Sequence, residues 1–524
     1  MSHRAPPARR RRLLFVSSNG GGMGHLTRLM AIARRLPADC EPLFLTQSSG
    51  IEAVRKLGFW VDYIPPQRAS GLGAVEWQAY LRARIGSILR LLGPEAIVFD
   101  GTFPYKGLIR AMEEFPQVQR IWSRRAMWKP ITAQRAELSL AHVEAFDRII
   151  EPGELAAEAD RGFTTTQRDR VSPVEPVLFL DHDEILSREE ARAELGIAPE
   201  VVAALLNLGA GNINQIDPVL AAVADMLGRD PSVHLMAIQS LISRQGLAVD
   251  GGRISRLETY PLSRVIRAFD FCIAAPGYNS FHELLASAVP TVFIPNEQTD
   301  IDDQVARAEW AARAGVGLMS RADDLEALDR ALTAMLDPAV RDRIGQRCRE
   351  LPGCDGARQA AAMIAASGWI APARPAVPVL VPEGSAMAEL RRRLWHFWRR
   401  VRLIAARLRG ARDPEGAVSP KRPGRGRPRG APRRALVVAS GALADPSRIQ
   451  ALGDWIAANH AGAVVLVPAD ALPPLSRRGL TVELLVDGDA RDRPDQVDFA
   501  AYARWKSDAV RDAYGCEAVV VWGE

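Results

Sequence analysis

His25 and Glu283 are the two side chains whose types and settings best suit them to chemistry. His25 closes a glycine-rich run, Asn19-Gly20-Gly21-Gly22-Met23-Gly24-His25, placed between an apolar stretch at 13–17 and a helical pattern at 26–36. An imidazole at a helix start can take a proton from a hydroxyl near neutral pH, or it can simply cap or pack. Asp100 ends the apolar run 96–99. It can orient His25, act as the base itself, or be a solvated strand-end acid. Glu283 follows the apolar run 269–275, the Pro276-Gly277 turn, and Tyr278, Asn279 and Ser280. Its carboxylate can accept two hydroxyl hydrogen bonds, as from a ribose. The Ser280-x-x-Glu283 spacing also predicts a capping box with Ser280 as N-cap. Asp303 and Gln304, in an acidic loop, offer similar groups to a sugar ring. Arg124 and Arg125 end the run 121–123 and are suited to a phosphate-bearing acceptor.

These groups need rigid elements to hold them. Strand, glycine turn, helix is the arrangement that cradles a phosphate, because the helix start has free N–H groups. A nicotinamide site is disfavoured: the spacing is not G-x-G-x-x-G, and the second strand, 42–46, runs into Gln47 where a ribose-binding acid would stand. The same arrangement recurs. The apolar run 201–208 is followed by Gly209, Ala210, Gly211 and Asn212, then by a helix over 217–227. Further strands are expected at 61–64, 121–123, 146–150, 234–239, 254–257 and 291–294, which makes a six-stranded first domain ending near 172. The chain therefore reads as α/β, with two similar halves and a nucleotide between them.

The stretch 269–317 resembles the donor-site signature of MurG-like glycosyltransferases of the GT-B fold, through Gly277, Ser280–Glu283, Val289-Pro290 and Asp303-Gln304. The loop with Gly21, Gly22, Gly24 and His25 resembles that family's N-terminal loop, which faces donor diphosphate and acceptor. The resemblance covers residues 12–368. It implies two Rossmann-like domains facing a cleft and transfer of a sugar, N-acetylglucosamine, from a UDP-sugar to an acceptor hydroxyl by single displacement. It further implies that Glu283 holds the uridine ribose, that Asp303 and Gln304 contact the donor sugar, and that uracil lies near Tyr260. Gly209, Ala210, Gly211, Asn212, Gly277, Asn279 and Ser280 complete the donor set. No tightly bound metal is expected; Asp181-x-Asp183 and Asp300-x-Asp302 have metal-type spacing, but acidic loop pairs are common. The rival readings are a UDP-sugar 2-epimerase of the same fold and a non-catalytic nucleotide-sugar or DNA-binding regulator.

Lys and Arg number 67 against 62 Asp and Glu, a net +5 that excludes a generally nucleic-acid-coating protein. Five scattered cysteines form no metal framework and suit a reducing cytosol. No run reaches the ~18 apolar residues of a membrane span. The organisation expected is a disordered basic start at 1–11, an acceptor domain at 12–172, a linker at 173–186 and a donor domain at 187–368. Within the last, 356–367 is a helix returning to brace the first domain. A Pro-rich linker at 369–388 follows, then a basic amphipathic helix at 389–409 suited to an anionic membrane surface. Residues 410–434 form a disordered basic linker, and 435–524 a small α/β unit (strand, helix, strand, strand, helix, strand) of unassigned role. The protein is expected to be cytoplasmic, peripheral on the inner membrane face, with a lipid-linked acceptor.

Overall fold

The computed structural model describes residues 10–18, 22–130, 142–209, 217–238, 254–299, 301–366, 434–439, 445–459, 463–468, 471–478, 480–485 and 499–522. The membrane-helix and basic-linker expectations fall on 369–433, outside these residues. One compact unit contains all the elements below.

The first part of the chain runs β1 (Arg11–Ser17), α1 (Gly24–Ala33), β2 (Cys40–Thr46), α2 (Ile51–Lys56), β3 (Trp60–Tyr63), α3 (Gln67–Ser70), α4 (Ala74–Leu91), β4 (Ala96–Asp100), α5 (Lys106–Glu114), β5 (Gln119–Ser123), β6 (Arg148–Pro152) and β7 (Ser172–Val174). Its sheet is parallel, in the order β3-β2-β1-β4-β5-β6-β7. The strands are nearly continuous apolar runs, as helices on both faces require. The sheet has seven strands where six were expected. The seventh, Ser172-Pro173-Val174, is three residues long with a central proline, so it carries no strand periodicity.

The second part runs α6 (Arg188–Leu195), β8 (Val202–Asn207), α7 (Asp217–Leu227), β9 (Val233–Ile238), β10 (Ile254–Leu257), β11 (Phe271–Ala274), α8 (Tyr278–Ala286), β12 (Thr291–Phe293), α9 (Gln304–Ala314), β13 (Leu318–Met319), α10 (Leu325–Leu336), α11 (Pro338–Arg349) and α12 (Gly356–Ala365). Its parallel sheet is ordered β10-β9-β8-β11-β12-β13. Both sheets thus reverse their winding beside their first strand, β1/β4 and β8/β11. That is where an open α/β sheet leaves a crevice for a ligand. The expected pair of Rossmann-like domains is present. As expected of 356–367, α12 packs on the first domain: Ala357, Ala360 and Ile364 share its core, and Arg11 Nη1 donates to the Ala365 carbonyl at 2.8 Å.

The last part runs β14 (Arg434–Ala439), α13 (Pro446–Asn459), β15 (Val464–Val467), α14 (Leu472–Arg477), β16 (Thr481–Leu484), α15 (Phe499–Tyr514) and β17 (Cys516–Trp522), with a parallel sheet β16-β15-β14-β17. Helix α14, absent from the expected order, starts around Pro473-Pro474, where proline suits a first turn. This part docks on the β3 edge of the first sheet through buried charge. Asp62, Arg84 and Glu483 are fully buried and Lys506 almost so. Arg84 donates to Asp62 at 2.5 Å and to Glu483 at 3.2 Å, and Lys506 Nζ bonds Asp62. Tyr80 and Tyr514 donate to Glu483 at 3.1 and 3.2 Å. Two acids facing two bases cancel, which makes burying four charges tolerable.

Candidate active site

The register of the first sheet sets Ser17 opposite Asp100, and the Ser18 N–H donates to the Asp100 carbonyl at 2.9 Å. The strand end bearing Asp100 therefore lies beside the turn leading into α1. His25, the second residue of that helix, meets it: Nδ1 is 2.6 Å from Asp100 Oδ1. Three further donors hold the same carboxylate. Arg28 Nε reaches Oδ2 at 3.0 Å, Arg28 Nη2 reaches Oδ1 at 2.5 Å, and Ser123 Oγ donates to Oδ2 at 2.8 Å. Burial alone would raise the Asp100 pKa, but Arg28 and His25 outweigh it and bring it down to about 2.

Asp100 is therefore an anion at neutral pH with both oxygens engaged, an arrangement that suits orienting a ring better than collecting a proton. A proton on His25 Nδ1 donates to it, and Nε2 then carries the ring's lone pair. Burial lowers the His25 pKa below its usual value, against the hydrogen bond and charge of Asp100, which raise it. Arg28 and Arg125 add to the lowering.

At the second crevice Asn207 lies opposite Ala274. Gly209 has φ +90°, a conformation that favours glycine. Ala210, Gly211 and Asn212, like Gly21 of the first loop, lie outside the described residues. Helix α8 starts at Tyr278 behind Gly277, and no side chain caps it. Ser280 is thus not the expected N-cap. It is the third residue of the helix, 3.4 Å from Asn207 Nδ2. The Pro276-Gly277 turn admits the helix earlier than a polar cap would, and its first N–H groups are left for another partner. The capping box falls with the cap, since Glu283 sits in the second turn. Glu283 is part-buried and accepts a hydrogen bond from the backbone at Phe179. Burial pushes its carboxyl up to about 7.

The two helix starts are joined. Asn279 Nδ2 donates to the Gly24 carbonyl at 3.3 Å, and its buried Oδ1 has no partner among the described residues. Thr27 Oγ1 and Tyr260 Oη are 3.1 Å apart. The Arg28 guanidinium lies over the Tyr278 ring, 5.2 Å from its centroid. An added Cβ at Gly22 would meet nothing within 4 Å, so packing does not explain that glycine.

The basic pair divides. Arg124 is buried, bonded to Gln167 and 3.1 Å from Glu151, with its guanidinium over Trp122. This corrects the expectation that it faces an acceptor: strand alternation turns its side chain into the protein. Arg125 points to the second domain, where its Nη1 is 2.7 Å from Asp302 Oδ1. Arg307 Nη1 shares that oxygen at 2.7 Å. Asp302 and Asp181, from the two metal-type spacings, are both ion-paired, Asp181 with Arg35 and Arg358. Among the described residues no group of three or more His, Cys, Asp or Glu side chains is gathered as for a metal.

Asp303 caps α9 by accepting from Ala306 N at 3.1 Å. Gln304 accepts from Asn296 N at 2.9 Å and donates to Asp302 at 3.2 Å. Sequence reasoning missed Arg28, Ser123 and Arg307. Arg28 stands three residues after His25, on the same helix face, and that spacing could have flagged it.

The Glycosyltransferase family 28 C-terminal domain profile matches residues 258–347. A UDP-N-acetylglucosamine–N-acetylmuramyl-(pentapeptide) pyrophosphoryl-undecaprenol N-acetylglucosamine transferase of Leifsonia xyli is 25% identical over 377 residues, 67% of this chain and 97% of that protein. The same-named enzyme of Bifidobacterium adolescentis is 25% identical over 322 residues, 53% of this chain and 78% of its own. Among solved structures, Acinetobacter baumannii MurG aligns with a TM-score of 0.44 at 15% identity, over 68% of this chain and 99% of its own.

Proposed function

We propose that this MurG-like glycosyltransferase of the GT-B fold moves N-acetylglucosamine from UDP-N-acetylglucosamine to a hydroxyl of a lipid-linked, pyrophosphate-bearing acceptor. The observation that carries the reading is the His25–Asp100 pair set against the uncapped start of α8. In this reading His25 Nε2 takes the acceptor hydroxyl proton as the oxygen attacks the anomeric carbon. The bond from that carbon to the diphosphate breaks in the same displacement, and UDP leaves. The free N–H groups at α8, with the positive end of its dipole, offset the charge on the departing diphosphate in place of a metal.

Glu283 accepts from the ribose hydroxyls, and Tyr260 and the Gly209 loop border the base. Asp303 and Gln304 hold the α9 start beside the donor sugar, and each keeps an acceptor lone pair for it. Arg125, two residues beyond β5, takes the acceptor phosphate when Asp302 yields it. The basic segment 389–409 brings the site to the inner membrane face. Among the described residues no helix is long and apolar enough to cross a membrane.

The test is UDP release from UDP-N-acetylglucosamine with N-acetylmuramyl-pentapeptide pyrophosphoryl-undecaprenol in vesicles. Release that needs the acceptor supports the proposal. Formation of a 2-epimer without acceptor overturns it, as does a missing thermal shift with UDP. At 100 times its dissociation constant UDP should add about 2.7 kcal/mol.

A further inference from the structure

Arg28 joins the two halves of the site, and nothing above yet gives it a part in the reaction. Its guanidinium is buried, forks onto both oxygens of Asp100, and lies over the ring of Tyr278, the first residue of α8. Tyr278 is itself fixed. Its hydroxyl donates to the Gly153 carbonyl at 3.0 Å and accepts from Val177 N at 3.0 Å, so the ring cannot follow a displaced arginine. A carboxylate with one histidine and one hydroxyl for partners would carry an uncompensated charge, and that charge favours an imidazolium beside it. Arg28 supplies the compensation at hydrogen-bond distance, inside the protein, where screening is weak.

We propose that Arg28 is a positioning residue for the transfer reaction: it cancels the charge of Asp100, locks the carboxylate onto His25 Nδ1, and holds this pair in register with the donor helix α8. The inference rests on His25 being the proton acceptor. The charged groups acting on the ring are Asp100 at the end of β4, Arg28 on its own helix, and Arg125 beyond β5. Helix α8 presents Tyr278, Asn279 and Ser280 in its first turn, all uncharged. Removing Arg28 therefore leaves Asp100 dominant, and His25 holds its proton to higher pH. Arg28 needs both features of an arginine, the charge for the ring's protonation state and the fork for the geometry.

The experiment uses the full chain with Arg28→Gln and Arg28→Lys. The His25 ring proton is followed by NMR against pH, and UDP release with the lipid-linked acceptor gives the pH–rate profile. In Arg28→Gln the His25 midpoint and the acidic limb of kcat should both move to higher pH, with turnover at the optimum down about tenfold or more. In Arg28→Lys the midpoint should return towards the parent value, while turnover stays low because one ammonium cannot fork. The ring titration is read without turnover, so it speaks even for a slow variant. An unmoved His25 midpoint in Arg28→Gln overturns the inference and leaves the His25 reading standing. Near-normal turnover in His25→Ala overturns both.

Discussion

Replacing Glu283 by Gln separates a ligand-binding carboxylate from a structural one, because the two roles have opposite signs. The carboxyl is raised from 4.5 to about 7 by burial. Each pKa unit is about 1.36 kcal/mol, so the ionised group is worth roughly 3 kcal/mol against the free protein once fully charged. The folded pKa lies above the unfolded value. The penalty is therefore absent below pH 4.5, grows as pH rises to about 7, and is complete above that. Partial solvent access reduces it to about 1–2 kcal/mol. Glu283→Gln removes the charge but keeps the shape, so at pH 8 the ligand-free variant should unfold at a higher temperature than the parent. That advantage should shrink towards pH 5.

UDP binding should move the other way. Losing a charged acceptor for ribose hydroxyls costs about 1–3 kcal/mol, roughly 10- to 100-fold in affinity. UDP affinity of the parent should also fall as pH drops below about 7, where Glu283 takes up its proton. The UDP phosphate titrates in the same range, and the Gln variant reports that contribution alone. Calorimetry of UDP binding at pH 6 and 8, with thermal melts of both proteins, decides the matter. A variant that is less stable at every pH and binds UDP with parental affinity would refute the reasoning and make Glu283 a structural residue.

His25→Ala should lower turnover about 10²–10⁴-fold with little change in UDP affinity, as steady-state rates beside calorimetry would reveal. Because burial lowers the His25 pKa, the acidic limb of the parent rate profile should lie below pH 6.5, and a limb above it would contradict a neutral ring. Lys506→Met strips one base from the buried quartet and leaves a net negative charge between the first domain and the C-terminal unit. It should cost about 3–5 kcal/mol in denaturant melts. Co-sedimentation with anionic vesicles should fall as salt rises and vanish on deleting 389–409; equal binding to neutral vesicles would rule out the electrostatic anchor.

What the sequence by itself determined were the features that live within a few neighbouring residues. Strand, glycine turn and helix could be read twice, because apolar runs suited to burial on both faces and glycine-rich turns are local properties. The candidates His25, Asp100 and Glu283 were legible for the same reason: each stands at or just beyond a strand end. Tertiary structure decided what each of them touches. That Asp100 serves His25 depends on the pairing of β1 with β4, which sets Ser17 opposite Asp100. Ser280 satisfied a capping pattern, yet the preceding turn began the helix at Tyr278. Arg124 and Arg125 look alike in sequence, and the pleat sends one into the core and the other across to Asp302. Arg28 looked like a helix-surface arginine until α8, from the other domain, closed over it. The C-terminal unit showed no purpose in its own residues, because Glu483 and Lys506 acquire their partners, Asp62 and Arg84, only from a stretch some 400 residues away. Charge compensation across such distances is a property of packing, and local sequence carries no trace of it.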